Sequence, residues 1–242
     1  MMASSGPLAG HVAMVSGASR GIGRAVALGL AEAGAHLSLL ARSAGALEET
    51  AQLCREAGAR VLTLPTDVTD RGALGEAVEA TVRDFGALHI LVNNAGIYES
   101  APAQSADMDA FEAVIDVNVK ALMNLTRLAL PHILAAQGQR SVIHIASVVS
   151  RMSFKGGGAY CASKHAVLGY SNALFEDIRE AGVKVCAISP GFVNTPMVAG
   201  RGLAMEKMIQ PADIARAVLF VATYPETGCP VEIIIRPQRE PF

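Results

Sequence analysis

The chain has 242 residues, of which 51% are hydrophobic and 17% charged, and its formal net charge is -2. That length suits one α/β domain with a large core, and the composition excludes a disordered chain. A nearly balanced charge without a basic cluster excludes a nucleic-acid-binding surface.

The first residues, MMASSGPLAGH, lack a positive start followed by an apolar stretch, so they do not read as a signal peptide. Residues 1–10 are expected to be flexible. Short apolar, β-branched segments then alternate with alanine-rich helical ones. The strands are expected at VAMVS (12–16), LSLLA (37–41), VLTLP (61–65), ILVNN (90–94), SVIHIA (141–146), VKVCAIS (183–189) and VEIIIR (231–236). Helices are expected over 21–33, 44–57, 70–85, 107–136, 160–181 and 211–223. Apolar runs such as IARAVLFVA are too short to cross a membrane, and a cytoplasmic location is expected. Cys54, Cys161, Cys186 and Cys229 show no paired short spacing, so neither a disulfide framework nor a metal site is expected. The six histidines are dispersed and read as satisfied structural groups.

Strands that are apolar along their whole length imply a sheet covered on both faces. Right-handed crossovers then produce a single-domain, doubly wound, seven-stranded parallel sheet with helices on both faces. Such a sheet binds ligands at the carboxyl ends of its strands. The first strand runs into Ser16-Gly17-Ala18-Ser19-Arg20-Gly21-Ile22-Gly23, and a helix follows. Glycines let the backbone turn sharply and approach a ligand, while a helix N-terminus offers free N–H groups to a phosphate. Three glycines in eight residues also fit a tight turn; their place between the first strand and the first helix favours a nucleotide site.

Tyr160 and Lys164 stand one helical turn apart in GAYCASKHA. A phenol is a weak acid at its unperturbed pKa of about 10, and a neighbouring ammonium stabilises the phenolate. The pair therefore suits proton transfer to or from a carbonyl oxygen. An exposed Tyr and a solvated Lys would show the same spacing.

SGASRGIG at 16–23, NNAG at 93–96, Asn118, Ser147, YCASK at 160–164 and PGFVNT at 190–195 resemble the classical short-chain dehydrogenase/reductase family. The match runs in order from about residue 11 to 235. Ser16 stands where the family usually has Thr. The resemblance implies a Rossmann-type fold and a tetrad of Asn118, Ser147, Tyr160 and Lys164. Tyr160 would be the acid/base, Ser147 would hold the substrate oxygen, and Lys164 would also bind the nicotinamide ribose. Asn118 would support a water joining Lys164 to solvent. It further implies cofactor contacts from Ser16, Gly17, Ser19, Arg20, Gly21, Ile22, Gly23, Asp67 and Val68. Asn94, Ala95 and Gly96 would lie against the adenosine ribose, and Pro190, Gly191, Val193 and Thr195 near the nicotinamide amide. Asp67 reads equally as a cap for the helix starting near Asp70.

An acidic residue ending the second strand would receive the ribose hydroxyls of NAD. Here Ala41 stands in that place, with Arg42 after it and Arg20 in the glycine loop. Two guanidiniums and no carboxylate describe a pocket for a 2′-phosphate, so NADP(H) is expected in preference to NAD(H). Residues 196–210 are expected to form a lid over the substrate. Val148, Val149, Met152, Phe154, Tyr98, Phe192, Met197 and Met205 are candidates for an apolar pocket. Arg151 and Lys155 would face an anionic substrate or lie in a solvated loop. The ending VEIIIRPQREPF lacks the Gly-Gln…Asp-Gly-Gly pattern of relatives that reduce acyl-carrier-protein thioesters. Leu122, Leu125, Leu128, Leu168, Leu174 and Phe175 give two helices more apolar surface than one sheet face needs. The resemblance implies that such helices pair across a two-fold axis, giving a homodimer or homotetramer. The expected partner otherwise is a small carbonyl or alcohol substrate, with no metal, membrane or nucleic acid. The alternative function is a catalytically silent NADP-binding or scaffolding protein of the same fold.

Overall fold

Each strand reads as an unbroken apolar run because successive side chains enter two different cores. In β1 (Val12–Ser16), Ala13 and Val15 point to one core, and Val12 and Met14 to the other. The same alternation holds in β4 (Ile90–Asn93), where Ile90 and Val92 oppose Leu91, and in β5 (Ser141–Ile145), where Ile143 and Ile145 oppose Val142. Met14, Ile90, Leu91 and Val92 are fully buried. Each such side chain contributes ~1.5–3 kcal/mol relative to exposure.

The computed structural model describes residues 6–200 and 202–242. The remaining strands are β2 (His36–Ala41), β3 (Val61–Pro65), β6 (Lys184–Pro190) and β7 (Glu232–Ile235). All seven are parallel, in the order β3-β2-β1-β4-β5-β6-β7. Helices α1 (Gly21–Glu32), α2 (Ala44–Glu56) and α7 (Pro211–Ala222) cover one face. The other is covered by α3 (Arg71–Phe85), α5 (Leu122–Ala135) and α6 (Gly158–Ile178), with α4 (Met108–Ile115) packed beside α6. The winding direction reverses between β1 and β4. That reversal opens a crevice beyond the carboxyl ends of these two strands.

Element bounds agree with the sequence-derived ones to within two residues, counting the 3₁₀ turn Arg179–Ala181 with α6. One expectation needs correction. The helix expected over 107–136 is instead α4, a π-helical turn at Asp116–Ala121, and α5. Nothing in apolar periodicity marks one extra residue in a turn, and here buried hydrogen bonds of Asn118 fix it. Of residues 6–10, Leu8 alone is buried. Leu8 is fully buried, and its N–H donates to the Ala33 carbonyl at 2.9 Å. Residues 1–5 lie outside the described residues.

The apolar surplus assigned to α5 and α6 is largely consumed within the chain. Leu122, Leu125, Leu168 and Leu174 are buried, while Leu128 and Phe175 are half-buried. The buried histidine His144 is satisfied, its Nδ1 lying 2.6 Å from Ser171 Oγ. Burial pushes its pKa down to about 3, so it is a neutral structural group. No helix among the described residues is long and apolar enough to cross a membrane.

Candidate active site

The glycine loop is shaped by backbone geometry that only glycine tolerates. Gly17 and Gly21 have φ of 66° and 56°. A Cβ on Gly23 would lie 2.2 Å from the Gly17 carbonyl oxygen, so the first turn of α1 can close on the loop only with glycine there. Arg20 is the N-cap of α1 and makes no side-chain cap, and the first turn carries no acid. The leading N–H groups of α1 therefore retain positive potential. Arg24, a residue the sequence reading passed over, braces the loop from behind. Its Nε and Nη2 donate to the Ser19 carbonyl at 3.1 and 2.7 Å.

Ser16, 2% exposed, ties the loop to β4. Its Oγ accepts the N–H groups of Asn94 at 3.0 Å and Ala95 at 3.1 Å. Asn94 returns the contact, its Nδ2 donating to the carbonyls of Ser16 at 2.9 Å and Gly17 at 3.1 Å. Val68 and Ala95 line one crevice with Ser16 and Asn93. Ile22 packs on the core below the loop.

At the end of β2, Ala41 is buried and Arg42 exposed. Neither the Arg42 guanidinium nor that of the exposed Arg20 makes a hydrogen bond or ion pair among the described residues. Arg42 lies near enough to Asp67 to help hold that carboxyl below its usual range, after the larger effect of hydrogen bonds from Thr69. The Thr69 N–H and hydroxyl both donate to Asp67 Oδ1, at 2.9 and 2.8 Å. Asp67 does not cap α3; Asp70 does, accepting from the N–H groups of Gly72 and Ala73. The helix-cap alternative for Asp67 is thereby overturned.

The four residues of the expected tetrad lie just after β5, on α6 and in the π turn. Lys164 is 6% exposed, and its Nζ donates to the Ile145 carbonyl at 2.8 Å, two residues before Ser147. The same Nζ stands 5.9 Å from the centre of the Tyr160 ring. Burial lowers the Lys164 pKa to about 8. Ser147, 8% exposed, accepts the Val149 N–H at 3.3 Å and donates to the Pro190 carbonyl at 3.4 Å. Asn118 is buried, and its Oδ1 accepts the Ile97 N–H at 2.8 Å. Its Nδ2 donates to the Ile97 carbonyl and Ser163 Oγ, both at 3.0 Å. The π turn directs this amide inward, which excludes a helix-surface role. Ser163 went unnoticed in sequence although it lies inside YCASK; its hydroxyl links Asn118 to the Tyr160 carbonyl at 2.7 Å. Gly96 lies against Asn118, where a Cβ would be 3.2 Å from Oδ1.

Beyond β6, Gly191 donates to the Ile235 carbonyl at 2.7 Å. Val193 is buried and bridges to Ile209. Thr195 Oγ1 donates to the Val193 carbonyl at 3.3 Å, and its methyl faces Gly21 across the loop. This segment thus meets the glycine loop at Gly21 and the later chain at Ile209. Arg151 is committed to Glu232, its Nε donating to both carboxylate oxygens at 3.0 Å.

A doubly wound parallel sheet with a glycine loop between its first strand and first helix is the architecture of dinucleotide-binding α/β proteins. Residues 11–205 match the family model described as short chain dehydrogenase. The chain belongs to the short-chain dehydrogenase/reductase family. It is 36% identical over 248 residues to the glycine betaine reductase of Emericella nidulans, covering 98% of this chain but only 19% of that much longer protein. Carveol dehydrogenase from Mycobacterium avium, solved in complex with NAD, superposes with a TM-score of 0.91 at 26% identity, over 96% of this chain and 98% of its own. A short chain dehydrogenase from Burkholderia cenocepacia in complex with NADP has a TM-score of 0.87 at 29% identity, over 96% and 98%. Neighbours of this fold therefore hold either nicotinamide dinucleotide.

Proposed function

We propose that the protein is an NADP(H)-dependent oxidoreductase that interconverts a carbonyl and a secondary alcohol, with Tyr160 as the acid/base. The observation that carries this reading is the approach of Lys164 to the Tyr160 ring while its Nζ is anchored on Ile145, beside Ser147. When bound, the nicotinamide supplies or takes up the hydride. The chain must hold the oxygen and move a proton. Ser147 turns its one hydroxyl proton from the Pro190 carbonyl to the substrate oxygen, and the Tyr160 hydroxyl gives that oxygen its proton in reduction or accepts it in oxidation. The Lys164 ammonium stabilises the phenolate left behind. The side chain of Asn118 is spent on Ile97 and Ser163, so a water supported by Asn118 uses its backbone carbonyl.

The residues present fit the cofactor. Gly17, Ser19, Arg20, Gly21, Ile22 and Gly23 offer backbone and potential to a pyrophosphate. Asp67 and Val68 would hold the adenine, Asn94, Ala95 and Gly96 the ribose, and Tyr160 and Lys164 the nicotinamide ribose. Pro190, Gly191, Val193 and Thr195 complete the nicotinamide end. The uncommitted guanidiniums of Arg20 and Arg42, beside a neutral Ala41, favour the 2′-phosphate of NADP. Residues 196–210 serve as the lid, and the working unit is a homo-oligomer.

Tyr160→Phe is the direct test. Positioned acid catalysis contributes ~10²–10⁴-fold. Turnover on the best ketone, followed as NADPH oxidation, is expected to fall by that range while NADPH binding is retained. Activity within a few-fold of the parent would refute the role of Tyr160.

A further inference from the structure

The loop after β4 and the loop after β5 are docked to each other beside the tetrad. The Ala101 N–H donates across to the Gly156 carbonyl at 3.0 Å, and within the second loop the Gly157 N–H donates to the Phe154 carbonyl at 3.1 Å. This docking sets the Tyr98 and Phe154 rings nearly parallel, 7° apart in plane with centroids at 6.3 Å. On its other side, Tyr98 meets the Tyr160 ring edge-on at 4.9 Å. Gly157 is the seat of this arrangement. A Cβ there would lie 2.6 Å from Phe154 Cζ, so any side chain at 157 displaces the ring. Phe154 is nevertheless 40% exposed, and Met152 in the same loop 54% exposed. Two aromatic rings thus follow one another from the phenol, the second of them 40% exposed.

The charge around these rings is already spoken for. The Arg151 guanidinium is held by Glu232, whose Oε1 also accepts from Ser189 Oγ at 3.4 Å. Glu99 accepts the Ser100 N–H at 3.1 Å. Lys155 is exposed, where an ion pair adds little.

Resting on the oxidoreductase reading above, we infer that Tyr98 and Phe154 form an aromatic ledge selecting neutral carbonyl substrates that bear an aryl group near the carbonyl. The carbonyl oxygen lies at Tyr160 and Ser147, and the aryl ring packs on the ledge by the offset or edge-on geometry that aromatic quadrupoles favour. Small aliphatic ketones leave the ledge exposed. Among the described residues, the cations a keto acid could meet near the phenol are Lys164, buried and held on the Ile145 carbonyl, and solvated Lys155.

The test compares acetophenone, cyclohexyl methyl ketone, 2-butanone and the anion benzoylformate, with NADPH oxidation as readout. Acetophenone is expected to have the highest kcat/KM. Phe154→Leu retains apolar bulk and loses the ring, and should lower the acetophenone-to-2-butanone ratio of kcat/KM by roughly three- to ten-fold. Gly157→Ala, which displaces the ring without removing it, should shift the ratio the same way. Saturation-transfer NMR of acetophenone with the cofactor-free protein gives a readout independent of turnover; its signal should weaken in Phe154→Leu. Preference for 2-butanone or benzoylformate, or an unchanged ratio in both variants, overturns the ledge and leaves the oxidoreductase reading standing. Absence of turnover on every ketone with NADPH bound overturns both.

Discussion

Replacing Ser16 by Ala removes one oxygen and orphans two backbone N–H groups. The hydroxyl is 2% exposed and accepts from Asn94 and Ala95 at 3.0 and 3.1 Å, so water cannot readily replace it. An unsatisfied buried donor costs ~1–3 kcal/mol. Two of them, with some relaxation toward other acceptors, lead to an expected loss of about 3 kcal/mol. For a domain of this size each kcal/mol moves Tm by ~2–4 °C, so the midpoint should fall by roughly 6–12 °C. Urea unfolding of the parent, Ser16→Ala and Ser16→Thr should show the loss in Ala, while Thr, which keeps the oxygen, retains most of the stability. Because Asn94 and Ala95 would lie against the cofactor ribose, NADPH affinity should also fall in Ala and recover in Thr. A Ser16→Ala protein within 0.5 kcal/mol of the parent (about one pairing's net worth) would refute the claim that this hydroxyl holds β1 to the exit of β4.

Exchanging Arg42 for Ala should weaken NADPH by roughly ten- to a hundred-fold, since a hydrogen bond to a charged group contributes ~1.5–3 kcal/mol; NADH should be little affected, and tighter binding of NADH than NADPH by the unmodified protein would defeat the NADP assignment. Lys164 has a folded pKa of about 8, below its ordinary 10.5. Between those values the unfolded chain holds a proton that the folded chain has released, so this group's contribution to stability rises with pH across that window and is at its least favourable below 8. Unfolding of parent and Lys164→Met at pH 7, 8, 9 and 10 should show the variant losing ground to the parent by on the order of 1 kcal/mol per unit above pH 8; a constant difference would contradict the burial effect. Light scattering at micromolar concentration should report a multiple of 25.1 kDa through contacts that include the exposed Met123 and the half-buried Leu128 and Phe175; a 25.1 kDa species would exclude the oligomer.

The seven strands and their parallel arrangement were legible in sequence because burial on both sheet faces leaves a local mark, an uninterrupted apolar run such as VAMVS or SVIHI. The glycine loop was legible for a similar reason. Its positive φ values and the contact of Gly23 with Gly17 permit one residue type, so the constraint is written in the residue itself. Tyr160 and Lys164 were readable as neighbours because helical spacing alone puts them together. Contacts between residues far apart in the chain leave no such mark. The π turn at Asp116–Ala121 exists because Asn118 reaches Ile97 and Ser163, residues 21 and 45 positions away. Asp70 rather than Asp67 caps α3 because the entry path of the chain decides which carboxylate meets the free N–H groups. The pairing of Arg151 with Glu232 spans 81 positions, and it turns a cation that could have greeted an anion into a structural tie. The leucines of α5 and α6 looked surplus in sequence because a helix shows its apolar faces but not how many neighbours will cover them. Local backbone demands and periodic burial belong to the sequence; the partner of each polar side chain, and hence the charge left to meet a substrate, is decided only when distant segments are packed together.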